Sequence, residues 1–323
     1  MLVPRPRPVT TADVRAARDR IAGRLRRTPL LSASLDSPHG PVEVVFKLEM
    51  TQVGGCFKTR GSLNAVLDAQ ARGLLTDAGV IVASGGNAAI GAAWAARIAG
   101  TTATVVIPEN APAVKVSALR ELGATVHLVG TRYADAADAA ATMAADSGAL
   151  ALHAYDLPDV VAGAGTIGLE LAEDLPGPLT TVVCVGGGGL LGGLAASLRP
   201  GDRLVGVEPT GASCLHQALA AGMPVAVELD SVATDSLGAT RIGDVCWATI
   251  AERPVDSVMV DSVVVDDADI IAARRMMWER FRLVIELGTA TTVAAVTTGL
   301  IRAEHHSTLC LVLCGANTRL DDL

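Results

Sequence analysis

Four short segments of this 323-residue sequence place chemically useful residues where the chain changes direction. In GGCFKTRG, residues 54–61, a glycine loop delivers Phe57 and Lys58 to the start of an expected helix. A helix start carries partial positive charge and unpaired N–H groups, which push an amine toward its neutral form. A neutral amine can attack a carbonyl and hold it as a Schiff base. By position alone, an ordinary surface lysine opening a helix reads the same. In the second segment Ser84, Gly85, Gly86, Asn87 and Ala88 follow the apolar run GVIVA and lead into an Ala-rich stretch. Residues this small let a ligand approach the backbone, and the helix start offers N–H groups to a carboxylate. A plain turn with Asn87 as helix cap is the alternative.

The third segment, VVCVGGGGLLGG, runs from an apolar strand through Gly186, Gly187, Gly188 and Gly189 to Leu190 at a helix start. Four successive glycines can wrap backbone N–H groups around a phosphate. A purely structural turn rarely needs so many, because each adds to the entropy cost of folding. The same run contains Gly187-x-Gly189-x-x-Gly192, and Glu208 closes the next strand, the spacing of a dinucleotide site. That reading leaves Lys58, the SGGN segment and the chain's end without a task. The fourth segment, LCLVLCGANT, delivers Cys314 into a Gly-Ala-Asn turn. Taken alone, it is one more buried cysteine. Of 26 basic residues only 47, 58 and 115 are lysine. Arginine cannot serve as a titrating amine, so a lysine kept in such a chain hints at chemistry.

These junctions need a frame. Residues 11–26 have helical apolar spacing, with Thr10 or Thr11 as cap and positions 14, 17, 21 and 25 on one face. Strand-like runs at 42–49, 79–84, 102–108 and 124–129 alternate with helical stretches at 58–73, 88–99, 111–122 and 132–146. Part of this is a Rossmann-like βαβαβ unit. After 149–155, a helix over 159–174 leads to strand 178–185, the glycine run, a helix to 198 and the strand RLVGVEP. Strand-like segments near 225–229 and 257–265 flank an irregular region, and helices over 267–284 and 289–303 precede the closing strand. Short Val/Ile/Leu runs between Ala-rich helices specify an α/β fold on parallel sheets. With no repeat or linker, the chain is expected to cross between two lobes near residues 73 and 152.

Half the residues are hydrophobic but only eight are aromatic. A net charge of −8 with dispersed basic residues argues against nucleic acid or an anionic membrane as partner. No apolar run is long enough to cross a bilayer, and the basic start lacks the apolar core of a signal peptide. The six cysteines are widely spaced with no CxxC pair, which fits small buried hydrophobes in a reducing cytoplasm.

Together the four segments resemble the serine/threonine dehydratase and serine racemase family of fold-type II pyridoxal 5′-phosphate (PLP) enzymes. The resemblance runs from about residue 25 to the C-terminus. GGCFKTRGSLNAV is near that family's GSFKxRGA, SGGNAA near SxGNHA and LCGAN near LSGGN, with VGGGGLLGG between them in the same order. VDDADIIAARRMMWERFRLVIELGTA is similar to the segment preceding the last motif. The resemblance implies a tryptophan synthase β-like fold, two lobes each with a mostly parallel sheet flanked by helices. Residues 1–72 and 153–323 would form a large cofactor-binding domain and residues 73–152 a small substrate-binding one, in a homodimer. Lys58 would form the Schiff base with PLP and move the Cα proton. Gly186 to Gly189 and Leu190 would hold the cofactor phosphate, Asn87 the 3′-oxygen, and Phe57 would pack near the ring. Cys314 would sit at the pyridine nitrogen, while Ser84 and the backbone of residues 85–88 would receive the substrate carboxylate.

A thiol is a neutral partner, so the ring nitrogen need not be protonated. The cofactor is then a weaker electron sink, and loss of a β-hydroxyl competes well. The implied activity is that of an ammonia-lyase acting on L-threonine, L-serine or a close analogue such as 3-hydroxyaspartate. It would pass through an aminoacrylate to a 2-keto acid and ammonia.

The departures are informative. The racemases carry a second serine where this chain has Gly85, which weighs against racemisation. The family's His after Asn is Ala88 here, and its Ser before Phe-Lys is Cys56; both reshape the pocket. Divalent-metal members use a Glu, a backbone carbonyl and an Asp. Glu208 and Ala212 match, but Cys214 exchanges hard oxygen for sulfur, leaving Glu208 and Ala212 as weak ligand candidates. The sequence stops just after the last motif, so neither a regulatory domain nor isoleucine feedback is expected. Within the fold, β-replacement of the threonine or cysteine synthase kind is the alternative. Beyond it stand an NAD-dependent dehydrogenase and a non-catalytic PLP-binding module.

Overall fold

The computed structural model describes residues 7–251, 258–303 and 306–319. The first six residues, and residue 257 where a strand was expected to begin, lie outside the described residues. Helix α1 (Thr11–Ile21) starts from a reciprocal cap: Thr10 Oγ1 accepts the Asp13 N–H, and the Asp13 carboxylate accepts the Thr10 N–H. It ends at Ile21 rather than at residue 26, where the chain turns through Gly23 at φ +71°.

Six strands form the larger sheet, in the order β1 (Leu30–Ser37), β2 (Gly40–Lys47), β10 (Thr308–Val312), β7 (Leu179–Cys184), β8 (Arg203–Pro209) and β9 (Met259–Val265). All neighbours run parallel except the β1–β2 hairpin. Strand β7 is buried along its whole length, and Val182 and Val183 enter different cores on its two faces. The smaller sheet is wholly parallel, in the order β5 (Thr125–Leu128), β4 (Ala103–Ile107), β3 (Val80–Ala83) and β6 (Leu150–Leu152). The molecule is thus a two-lobed α/β fold with mostly parallel sheets flanked by helices.

Helices α2 (Lys58–Ala71), α3 (Asn87–Ala99), α4 (Ala113–Glu121), α5 (Tyr133–Ser147) and α6 (Pro158–Asp174) follow one another through the first half. Then come α7 (Gly189–Ser197), α8 (Cys214–Ala221), α9 (Thr234–Leu237), α10 (Asp244–Ala251), α11 (Asp267–Met276) and α12 (Leu287–Thr297). Helices α2 and α6 meet backbone to backbone. A Cβ on Gly61 would lie 2.5 Å from the Val160 carbonyl, and one on Gly163 2.6 Å from the Arg60 carbonyl. This contact clamps the first turns of α2, and with them Lys58.

Three expectations need correction. Residues 225–229 form no strand: Val227 N–H makes a single 2.8 Å bond to the Thr240 carbonyl. The stretch expected to be irregular contains α9 and α10. The helix expected over 267–284 ends at Met276, widens into a π-turn over Met277–Phe281 and stops at Arg282, φ +56°. Among the described residues no helix is long and apolar enough to cross a membrane.

Candidate active site

A cavity of about 560 Å³ lies where the C-terminal ends of β3, β4, β6, β7 and β10 converge. Open parallel sheets bind ligands at that end of their strands. Lys58, the first residue of α2, reaches into it and donates to the Ala154 carbonyl at 2.9 Å. The amine also lies 4.9 Å from the centre of the Phe57 ring. Although the cleft leaves the side chain partly exposed, protein surrounds the amine. Burial therefore lowers its proton affinity below that of a surface lysine, and Cys56, Cys314, Cys184 and Glu286 only partly oppose this.

The glycine run forms a second wall. Gly188, at φ +85°, caps α7, whose first turn continues through Gly189 and Leu190. A Cβ on Gly187 would lie 2.4 Å from the Tyr155 ring, and one on Gly188 2.5 Å from Ile242. Neither position takes a side chain without moving a neighbour, and the run opens a helix, where N–H groups are available to an anion.

Asn87 does not cap α3; Gly86 does. The Asn87 amide nitrogen instead donates to both Glu286 carboxylate oxygens, at 2.8 and 3.0 Å. Its oxygen accepts from Asn317 Nδ2 at 2.7 Å, and the Asn317 backbone N–H donates to Glu286 at 2.9 Å. Glu286 is 5% exposed, and burial pushes its carboxyl up to about 7, with Asn87 and Asn317 offsetting part of the rise. Ser84 Oγ accepts the Gly86 N–H at 3.2 Å, while Gly85 brings no side chain and Ala88 is buried. The Cys314 carbonyl accepts the Phe57 N–H at 3.0 Å, which ties the last motif to the lysine loop. Its sulfur lies 3.2 Å from Cys184 Sγ and 3.1 Å from Thr289 Oγ1.

Lys58, Phe57, residues 84–88, the glycine run with Leu190, and Cys314 therefore border one space. Glu208 and Ala212 do not. Both Glu208 carboxylate oxygens accept backbone N–H groups of α8, from Leu215 at 2.7 Å and His216 at 2.8 Å, and Cys214 Sγ donates to the Ala239 carbonyl. Among the described residues no three His, Cys, Asp or Glu side chains cluster as metal ligands. The dinucleotide reading loses its acid here, because Glu208 caps a helix rather than facing the glycine run. The sequence reading missed Glu286, Cys184, Thr289, Asn317, Ala154 and Tyr155. For Tyr155 a signal existed: the chain has only two tyrosines, and both line the cavity.

A family model described as "Pyridoxal-phosphate dependent enzyme" matches residues 21–315. The chain belongs to that family. This PLP enzyme is 36% identical over 308 residues to an L-threonine ammonia-lyase of Geobacter sulfurreducens, covering 94% of this chain and 74% of the relative. It is 34% identical over 320 residues to a serine racemase of Arabidopsis thaliana, covering 96% and 94%. The crystal structure of serine racemase from Dictyostelium discoideum superposes with a TM-score of 0.84 at 29% identity, over 97% of this chain and 99% of that one. The residues present fit the cofactor: a buried amine of lowered proton affinity, a run of glycines at a helix start where side chains have no room, and a thiol bordering the same cavity.

Proposed function

We propose that this PLP enzyme is an ammonia-lyase that converts a small β-hydroxy amino acid, L-threonine, L-serine or 3-hydroxyaspartate, to a 2-keto acid and ammonia. When bound, PLP supplies the electron sink that makes the substrate's Cα–H acidic. Lys58 would hold the cofactor and then, as a free amine, take the Cα proton; burial lowers its proton affinity and so favours the free amine. The Ser84 hydroxyl and the N–H groups of residues 85–88 would receive the substrate carboxylate, on the edge of the lobe spanning residues 73–152. Gly186 to Gly189 and Leu190 would hold the cofactor phosphate, and Asn87, fixed by Glu286 and Asn317, would present its amide to the 3′-oxygen. Cys314 would meet the ring nitrogen as a neutral thiol, which favours prompt loss of the β-hydroxyl.

Gly85 is the observation that carries this reading. Returning a proton to the opposite face of Cα needs a second acid, and at this position the wall has no side chain; a Cβ here would have only the Ile107 methyl for company, at 3.6 Å. The Geobacter relative's name agrees with elimination, and the Arabidopsis relative's name keeps racemisation as a second reading. Incubation with each of the three L-amino acids should yield keto acid and ammonia in equal amounts with no D-enantiomer. D-Serine accumulating faster than pyruvate would overturn the proposal, as would product formation only when a thiol nucleophile is added.

A further inference from the structure

Cys184 ends β7, and Cys314 follows β10, its parallel neighbour. The two strands pair through Leu311 and Val182, so both cysteines stand at the C-terminal ends of neighbouring strands. Both residues line the cavity, where the sulfurs stand 3.2 Å apart and the residues are 6% and 5% exposed. The proposed reaction gives Cys314 a task and Cys184 none.

We propose that Cys184 and Cys314 form an oxidisable dithiol, a modification site at which a hydroperoxide closes a disulfide and removes the thiol facing the cofactor. One thiol, deprotonated, attacks a peroxide oxygen; the O–O bond breaks, giving a sulfenic acid and, after proton uptake, water from hydrogen peroxide or an alcohol from an organic hydroperoxide. The second sulfur then attacks the first, an S–S bond forms, and hydroxide leaves with the second thiol's proton as water. The two sulfurs lose two electrons and the peroxide gains them. The sulfurs need approach by only about 1 Å to reach bonding distance. The bond to Cys314, together with burial, raises the proton affinity of Cys184, with Glu286 adding to the effect and Lys58 opposing it. The thiolate is therefore disfavoured at Cys184. The oxidised pair has no S–H left to offer the ring nitrogen. The proposal rests on PLP binding and not on the lyase reading, so it is tested without turnover.

Cys56 is the competing partner, because it is buried and bridges to Gly315 beside Cys314. The full-length protein with PLP bound is treated with hydrogen peroxide, alkylated and digested without reduction. The expected result is a peptide pair linking Cys184 to Cys314, two hydrogens lighter. Bound PLP, followed by its absorbance on dialysis, should fall at least tenfold in affinity and recover with dithiothreitol. Cys184→Ser should lose the linked peptide and the reversible PLP loss, whereas Cys56→Ser should keep both. Free Cys184 and Cys314 after peroxide has released PLP would overturn the proposal. So would a Cys56–Cys314 link, or a Cys184–Cys314 link with unchanged PLP affinity.

Discussion

Lys58 and Arg60 are two residues apart in the first turn of α2, yet they face two different kinds of interior. Arg60 points behind the helix into a closed ion network. Its Nε and Nη2 donate to Glu49, Nη1 and Nη2 to Glu170, and Nη1 also to Thr166, all within 3.1 Å. Lys47 completes the set with bonds to Glu170 at 2.6 Å and to the Thr28 carbonyl at 2.8 Å. Two cations meet two carboxylates, and Lys47 and Glu49 are fully buried. Burial alone would raise the Glu170 carboxyl, but Arg60 and Lys47 more than offset it and hold it below the ordinary range. On the other side, the donors to Glu286 among the described residues are an amide and a backbone N–H, and burial wins. Buried charge that is fully paired holds the helix in place. Buried charge left short of partners is available for a ligand and for proton transfer.

The sharpest way to break this contrast is to remove each residue in turn. Lys58→Ala should lower keto acid formation about a thousandfold or more, the size expected when a positioned base is lost. It should also abolish borohydride fixation of PLP to the chain, while the unfolding midpoint of the PLP-free protein stays near that of the wild type. Arg60→Met should do the reverse, leaving Glu170 with Lys47 as its cation and Glu49 buried with only the Thr28 hydroxyl. Removing one partner from such a network costs about 3–5 kcal/mol, read from denaturant unfolding. If Arg60→Met unfolds no more readily than Lys58→Ala, the two interiors are not different in kind.

How far this was legible beforehand depends on whether the signal is local. Lys58, Asn87, the glycine run and Cys314 each occupy a junction whose neighbours in sequence announce it, so their meeting at one cavity follows from the order of strands and helices. The bond from Asn87 to Glu286 spans 199 residues, and the contact from Cys184 to Cys314 spans 130. Cys184 stands in the glycine-run segment and Glu286 in the segment before the last motif, but neither neighbourhood names the residue it meets at that distance. Strand β1 escaped notice because LLSASLDS is a half-exposed edge strand that owes its conformation to β2. The reverse error, a strand near 225–229, came from apolar residues whose backbone finds no neighbouring strand.

Glu286 sharpens the comparison through pH. With its carboxyl raised from 4.5 to about 7, the folded chain holds a proton that the unfolded chain has released across that interval. Stability must therefore fall as pH rises from about 4.5 to 7 and level off above, by roughly 3 kcal/mol for this group. Glu208, which burial also raises to about 7 despite its two backbone N–H partners, contributes the same trend. Comparing wild type with Glu286→Gln cancels the Glu208 part. The difference between the two unfolding curves should slope across pH 4.5–7 in the PLP-free protein. A flat difference would mean that Asn87 and Asn317 stabilise the carboxylate as well as Arg60 stabilises Glu170.

A third ion pair tests whether exposure, rather than chemical type, sorts these sites. Lys115 on α4 meets Asp235 on α9 at 2.5 Å across the cavity mouth, joining the lobe of the smaller sheet to that of the larger. Its side chains are 37% and 73% exposed, against 2% and 0% for Arg60 and Glu49. Water screens such a pair, and holding two mobile side chains together costs entropy. A double-mutant cycle with Lys115→Met and Asp235→Asn should therefore return a coupling below about 1 kcal/mol. That coupling should shrink further when salt is raised from about 0.1 M to 1 M, as the screening length drops from about 10 Å to 3 Å. The Arg60–Glu49 coupling, shielded from solvent, should hardly respond to the same change. A salt-insensitive coupling above about 2 kcal/mol at Lys115–Asp235 would show that the mouth of the cavity closes over the pair and belongs with the buried network.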